Sequence, residues 1–281
     1  MEDDSATEMR AQIIVTANFK GGVGKTTVSF GLIAAAVSRG NRVIALDTDP
    51  TGGLSVTLAR RVPAGVAAGG GQDRPPTAYD VLQGQVSLQD ALFEHPLGAV
   101  PGAHSLLRTL SSDVRLFKAP ITVGQLQNAL GPVLDEADYV IVDTQPHGPS
   151  LSGPAALADH IVIPTMLDLP SLRSTALTVI FLDKLELLSR VRGLVVTNMR
   201  RPAARIAMSF YQGLQYTGLP FDTVLYNSEA WVRATSGAGH LPDAQVLAEA
   251  QKLFAEVLSR EAPMAGFEKL LKMARGRGPA G

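Results

Sequence analysis

One segment constrains this chain more than any other: Phe19-Lys20-Gly21-Gly22-Val23-Gly24-Lys25-Thr26-Thr27, set between a β-branched run, Gln12 to Ala17, and a helical stretch, Thr26 to Arg39. A strand that meets glycines and then a helix makes a tight loop whose N–H groups can converge on one anion, and the helix N-terminus adds a favourable dipole. Phosphate is the natural occupant. In such a loop the last lysine reaches the β- and γ-phosphates and the next hydroxyl ligates magnesium, which gives Lys25 and Thr26 their expected roles and puts Thr27 near an α-phosphate. The strict pattern G-x-x-x-x-G-K-[ST] is not met, because Phe19 stands at its first glycine, but the glycines nearest the phosphates are kept.

The remainder of the chain reads as alternating strands and helices. Arg42 to Asp47, Tyr139 to Asp143, His160 to Thr165 and Val191 to Thr197 are short apolar runs of buried strands, and Ile121 to Glu136, Ser171 to Leu188, Ala203 to Thr217 and Pro242 to Arg260 have helical periodicity. This predicts an α/β fold: three layers, an open, mostly parallel sheet with helices on both faces. One domain over 1–281 is expected, with a flexible N-terminus at 1–11, a mobile Gly- and Pro-rich loop at 60–76 and a basic C-terminal tail at 261–281. The absence of cysteine excludes disulfides, iron–sulfur clusters and thiolate zinc sites. With 25 Lys+Arg against 26 Asp+Glu, any contact with a polyanion has to be a local patch. No secretion signal or apolar run of about 20 residues is visible, so a cytoplasmic location is expected.

Acidic residues fall at the carboxyl ends of two strands, the edge where open α/β sheets bind ligands. Asp47-Thr48-Asp49-Pro50-Thr51-Gly52 brings two carboxylates toward the loop, although either could be a turn or capping residue. Tyr139-Val140-Ile141-Val142-Asp143 ends four apolar residues in an acid suited to hold magnesium directly or through water. His147, just beyond, reads as a loop residue. Asn198 ends a further strand without continuing into N-K-x-D, the guanine-reading motif.

KGGVGKTT resembles the deviant Walker A box of the ParA/MinD/iron-protein superfamily, and D-x-D-P-x-G at Asp47 to Gly52 and T-x-Y-D-V-L at Thr77 to Leu82 are similar to segments of ParA/Soj partition ATPases. The likeness runs from Gln12 to about Arg260. It implies ATP and Mg2+ as cofactors and a slow, partner-stimulated ATPase. ATP would sit in a face-to-face homodimer in which Lys20 reaches the phosphates of the other subunit. Asp49 would position the attacking water, Asp47 would support magnesium-bound water, and Asn198 would meet the purine beside Tyr226, which stands where an arginine is frequent. The family usually continues D-x-P-P after the Walker B acid, whereas Thr144-Gln145-Pro146 follows here. The resemblance further implies non-specific DNA binding, with Arg200, Arg201, Arg205, Arg233, Lys269 and Lys272 as candidates beside Arg275 and Arg277. A ParB-like centromere-binding partner and nucleoid association go with it. The longer form of the family, with a helix-turn-helix extension before the first strand, is not expected here. The alternative is a MinD-like, membrane-associated positioning ATPase anchored by Phe267, Leu270, Leu271 and Ala274, which share a helical face opposite basic residues.

Overall fold

The computed structural model describes residues 10–58, 75–97, 105–118, 120–146, 148–236 and 241–274. Nearly all of the loop expected at 60–76 lies outside them, as do residues 1–9, His147, Arg275 and Arg277. The chain order is β1 (Gln12–Thr16), α1 (Lys25–Ser38), β2 (Val43–Asp47), α2 (Gly53–Leu58), α3 (Ala78–Leu82), α4 (Leu88–Ala91), β3 (Phe93–His95), β4 (Leu107–Leu110), α5 (Val123–Leu130), β5 (Tyr139–Asp143), α6 (Gly148–Leu157) and β6 (His160–Thr165). It continues with α7 (Leu169–Lys184), β7 (Val191–Met199), α8 (Arg205–Thr217), β8 (Pro220–Tyr226), α9 (Glu229–Ala234), α10 (Ala244–Ser259) and α11 (Met264–Ala274). The strands form one sheet in the order β3-β4-β2-β5-β1-β6-β7-β8. Every pairing is parallel except β3 with β4 at the edge.

The central strands read as unbroken apolar runs because both of their faces are covered. Ile13 and Val15 of β1, Ile44 and Leu46 of β2, and Val140 and Val142 of β5 face one core, shared with Leu126 of α5, Leu151 of α6, Val179 of α7 and Phe267 of α11. Their alternates Ile14, Val43, Ala45 and Ile141 face the other core, with Phe30 and Ile33 of α1, Trp231 of α9 and Phe254 of α10. The helix–sheet–helix layering expected from the sequence is therefore what forms.

Three departures from the sequence reading have local causes. The helix expected over Ile121 to Glu136 ends at Leu130 and tightens into a 3-10 turn over Gly131–Glu136, because Pro132 offers no N–H and Gly131 is a poor helix former. The helix α6 was hidden by Gly153-Pro154 in its interior. Gly153 is required there, since a Cβ would stand 2.4 Å from the Ile121 carbonyl oxygen. The edge strand β3 and its neighbour β4 are too short to show as periods.

The basic C-terminal segment from 261 carries α11 as far as Ala274, docked on the body. Phe267 is fully buried, Leu270 and Leu271 pack against the same core, and a Cβ at Gly266 would stand 2.5 Å from the Thr217 carbonyl oxygen. Among the described residues no helix is long and apolar enough to cross a membrane. Replacing Phe267 with Ala should lower the free energy of unfolding by about 3 kcal/mol in denaturant titration, the usual cost of emptying a buried aromatic site. A loss below about 1 kcal/mol would mean that α11 is not held to the core.

Candidate functional site

The loop between β1 and α1 is keyed in place from the side by α7. Asn18, fully buried, donates from Nδ2 to the Pro164 carbonyl at 2.8 Å and to Thr175 Oγ1 at 3.1 Å, while its Oδ1 accepts from the Lys20 amide at 2.9 Å and Ser174 Oγ at 2.8 Å. The Phe19 amide donates to Thr178 Oγ1 at 3.1 Å. With Ser171, these hydroxyls recur at helical spacing and make one polar stripe along α7. Phe19 itself packs edge-on against Phe181 of α7, ring centroids 5.1 Å apart, which explains how an aromatic residue can occupy the first glycine position of the motif.

Lys20 follows the same direction. Its ammonium lies on α7, 2.7 Å from Ser171 Oγ and 3.2 Å from Asp168 Oδ1. Burial acts to raise the Asp168 pKa, but hydrogen bonds from Ser171 and Lys20 outweigh it and hold the carboxyl below its ordinary range. Beyond Lys20 the loop turns through Gly22 (φ +74°) and Gly24 (φ +89°), conformations in which a side chain is strained. Gly21 and Gly22 are exposed and would meet nothing within 4 Å if a Cβ were added, so the hollow they border is open; Val23 is buried beneath it. Lys25 is buried and bridges the loop by donating to the Lys20 carbonyl at 3.1 Å. Burial lowers its pKa, opposed by the charges of Asp143 and Asp49.

Two acids meet at the floor of this hollow. The parallel register sets Asp47 of β2 opposite Asp143 of β5, and Thr16 of β1 opposite Asp143 on the other side. Asp143 accepts from Thr26 Oγ1 at 2.7 Å, Ser29 Oγ at 3.0 Å and Thr16 Oγ1 at 3.2 Å. Asp47 accepts from both the amide and hydroxyl of Ser55 at 2.7 Å and from the Asp49 amide at 3.1 Å. Burial, then the nearby Asp143, pushes the Asp47 pKa up to about 8. Burial also raises that of Asp143, against the hydroxyls of Thr26 and Ser29 and the charge of Lys25. Two carboxylates and a threonine hydroxyl are hard oxygen donors of the kind that suits Mg2+. Asp49, half-buried, closes its own turn, its Oδ1 accepting from the Thr51 amide at 2.9 Å and hydroxyl at 2.7 Å.

A further layer holds these acids. The Ser112 amide donates to Ser55 Oγ at 2.9 Å and the Ser112 hydroxyl to the Asp49 carbonyl. The adjoining Asp113 and the Asp80 of the T-x-Y-D-V-L segment are clamped by Arg115 at 2.6 and 2.9 Å; the Thr77 hydroxyl lies 2.9 Å from each acid and the Thr77 amide donates to Asp80 at 3.0 Å. That segment thus braces the loop that carries Ser112. Of the residues on which these contacts rest, Asn18, Ser29, Ser55, Ser112, Asp168, Ser171, Ser174, Thr175 and Thr178 were not singled out from the sequence. Single serines, threonines and asparagines give no pattern there; only the hydroxyl spacing along Ser171 to Thr178 could have drawn notice.

At the other side of the loop, Gly22, Gly24, Thr27, Thr197, Asn198 and Tyr226 line a cavity of about 180 Å³ with Trp231 at its wall. Thr197 fixes the loop by donating to the Val23 carbonyl at 2.7 Å. Asn198, at φ +55°, is exposed at the cavity mouth. Arg201 stacks on Tyr226, its guanidinium carbon 3.4 Å from the ring centroid, so this candidate DNA contact belongs to the cavity rim. Arg200 and Arg205 are exposed beside it, at the start of α8. Lys269 lies at the far end of α8, over the Tyr216 ring and donating to the Tyr216 carbonyl at 3.3 Å, with Lys272 exposed one turn on. Arg233 is balanced by Glu229 and Asp243, each at 3.6 Å. The basic residues grouped from the sequence are therefore two clusters, one at each end of α8, and a paired arginine.

Residues 11–187 match the AAA_31 family, an AAA domain. An uncharacterized protein of Mycobacterium tuberculosis is 32% identical over 228 residues, 76% of this chain and 67% of that protein. The chromosome partitioning protein ParA of Caulobacter vibrioides is 34% identical over 151 residues, 50% of each chain, so this chain matches only about half the length of that relative. Among solved structures, a putative plasmid partition protein from Borrelia burgdorferi bound to AMPPNP superposes with a TM-score of 0.72 at 19% identity, covering 89% of this chain and 99% of that one. The cell division ATPase MinD of Pyrococcus furiosus gives 0.65 at 23% identity, covering 88% and 98%. The family match, the sheet order and the loop that joins β1 to α1 together make this chain a member of the AAA_31 family, within the ParA/MinD superfamily of P-loop ATPases.

Proposed function

We propose that this chain is a Mg2+- and ATP-dependent dimerising switch that binds non-specific DNA and drives plasmid or chromosome partition with a ParB-like partner. The observation that carries the proposal is the convergence of Lys25, Thr26, Asp47 and Asp143 under one glycine loop while the second lysine, Lys20, is held aside on α7. In this reading the loop amides and Lys25 grip the phosphates, with Thr26, Asp47 and Asp143 around the metal and Thr27 near the α-phosphate. Magnesium supplies charge neutralisation on the β- and γ-oxygens. Asn198 and Tyr226 border the purine. Asp49 leaves its turn with Thr51 to orient water, and Lys20 leaves Asp168 and Ser171 to complete the pocket of a second subunit. A ligand that favours the dimer shifts the equilibrium by its differential affinity, and hydrolysis removes that shift.

DNA attachment fits the exposed basic ends of α8, doubled in a dimer, and would be steeply salt-dependent. A membrane anchor has less support, since the apolar face of α11 is buried against the body. Co-sedimentation with anionic vesicles against a DNA mobility shift, both with ATP, separates the two readings.

Lys20→Ala should retain nucleotide binding but lose ATP-dependent dimerisation in sedimentation velocity; a dimer that forms as in the wild type refutes the trans role. Asp49→Ala should bind ATP and stay dimeric while phosphate release falls at least about a hundredfold, and undiminished release removes Asp49 from hydrolysis. A carboxyl whose pKa is raised in the folded chain stabilises it at low pH, and that stability is lost as pH rises through the folded value. For Asp47 the window runs from the ordinary carboxylate range up to about 8. Without nucleotide the chain should therefore lose stability across this window, and MgADP binding at about pH 7 should release protons, seen as buffer-dependent heat in calorimetry. Heat that does not depend on the buffer would contradict the buried-acid metal site.

A further inference from the structure

The opposite edge of the sheet carries a second concavity, unrelated to the nucleotide loop. It lies at the amino-terminal ends of β1, β6 and β7, with the length of β1, roughly 15 Å, between it and the loop. Its volume is about 530 Å³, in the range of small-molecule sites. Three guanidinium groups line it, those of Arg10, Arg190 and Arg192, against a single carboxylate, Asp159.

The acceptors available on the protein do not use up these donors. Asp159 is already committed, with Oδ1 on Arg10 at 2.8 Å and Oδ2 on the Ile13 amide at 2.8 Å. Arg190 spends Nη1 on the carbonyls of Ala156 and Ala158, at 2.6 and 3.0 Å, and no protein acceptor meets its other N–H groups among the described residues. Arg192 spends Nε on His160 Nδ1 at 2.7 Å and leaves both terminal nitrogens without an acceptor among the described residues. His160 offers no compensating charge. Its Nδ1 accepts from Arg192, so Nε2 carries the proton and donates to Gln12 Oε1 at 2.9 Å, a neutral ring. Burial and the neighbouring Arg192 keep it neutral by lowering its pKa to about 4. The rest of the wall includes Leu130, Leu134 and Leu157, with Gln127 and Ser189 as its neutral polar members.

Forked donors without acceptors beside an aliphatic wall match a small amphipathic anion. We propose that this cavity binds a carboxylate or phosphate monoester on a short aliphatic stem, with Arg190 and Arg192 holding the oxyanion and the three leucines covering the stem. The site is independent of the nucleotide reading and stands or falls without it.

The test is isothermal titration of the full chain, run both without nucleotide and with excess MgADP, with hexanoate and with hexyl phosphate; acetate and hexanol serve as controls. At least one of the two anions should bind saturably, and both controls at least roughly tenfold more weakly, because each lacks either the stem or the charge. The preferred anion identifies the head group. Arg192→Gln should weaken that anion roughly tenfold and leave MgADP affinity unchanged. Should Arg192→Gln fold poorly, Arg10→Gln tests the same point from an exposed position, since it bares the Asp159 charge and should weaken the anion several-fold. Methyl NMR should move the signals of Leu130, Leu134 and Leu157 on titration. The proposal is overturned if neither anion saturates, if both arginine variants bind as tightly as the wild type, or if the shifted methyls lie elsewhere.

Discussion

Two carboxylates brought side by side on adjacent buried strands are costly, and the rest of the site is organised around them. Asp47 and Asp143 cannot both shed their protons in that environment without help, and the help comes from three directions. Hydroxyls of Thr16, Thr26 and Ser29 surround one acid, Ser55 and the following turn hold the other, and the buried Lys25 lies close enough for its charge to act on Asp143. The arrangement is tolerable with protons in place and favourable with a hard cation in place, so a divalent ion and the pH act on the same pair of groups.

The sheet makes this juxtaposition unavoidable. Parallel pairing of β1, β5 and β2 places the last residue of each strand in one row, and the polar residues that end those strands, Thr16, Asp143 and Asp47, become neighbours without any loop having to carry them there. Loops add what must be adjustable: the glycine turn, the Asp49 turn and the segment around Ser112. The second row of support, from Ser112 to Arg115, Asp113 and Asp80, ties the adjustable turn back to a charged cluster that is buried on its acidic side.

Much of this was legible in the sequence. The buried strands announced themselves because both faces are covered, so their apolar runs are continuous, and the glycine loop with Lys25 and Thr26 has a spacing that chemistry rarely produces by accident. The terminal acids followed from their position after such runs. What stayed hidden is what has no period. The strands β3 and β4 are three and four residues long, α6 is disguised by an internal Gly153-Pro154, and the hydroxyls that orient Asp47, Asp143 and Asn18 are isolated serines and threonines whose partners lie far along the chain. The surroundings of the basic residues were hidden for another reason: that Arg233 lies beside two acids and that Arg201 stacks on Tyr226 depends only on the fold.

The polar stripe of α7 has a mechanical consequence. The carboxyl-terminal half of the helix is seated by Val179 and Leu182, which fill the core and resist displacement. The amino-terminal half touches the glycine loop through hydroxyls, each worth only about 1 kcal/mol net and able to trade partners without opening a void. The contacts between this end of the helix and the glycine loop are therefore polar and exchangeable, so Lys20 can change partners without opening a void in the hydrophobic layers.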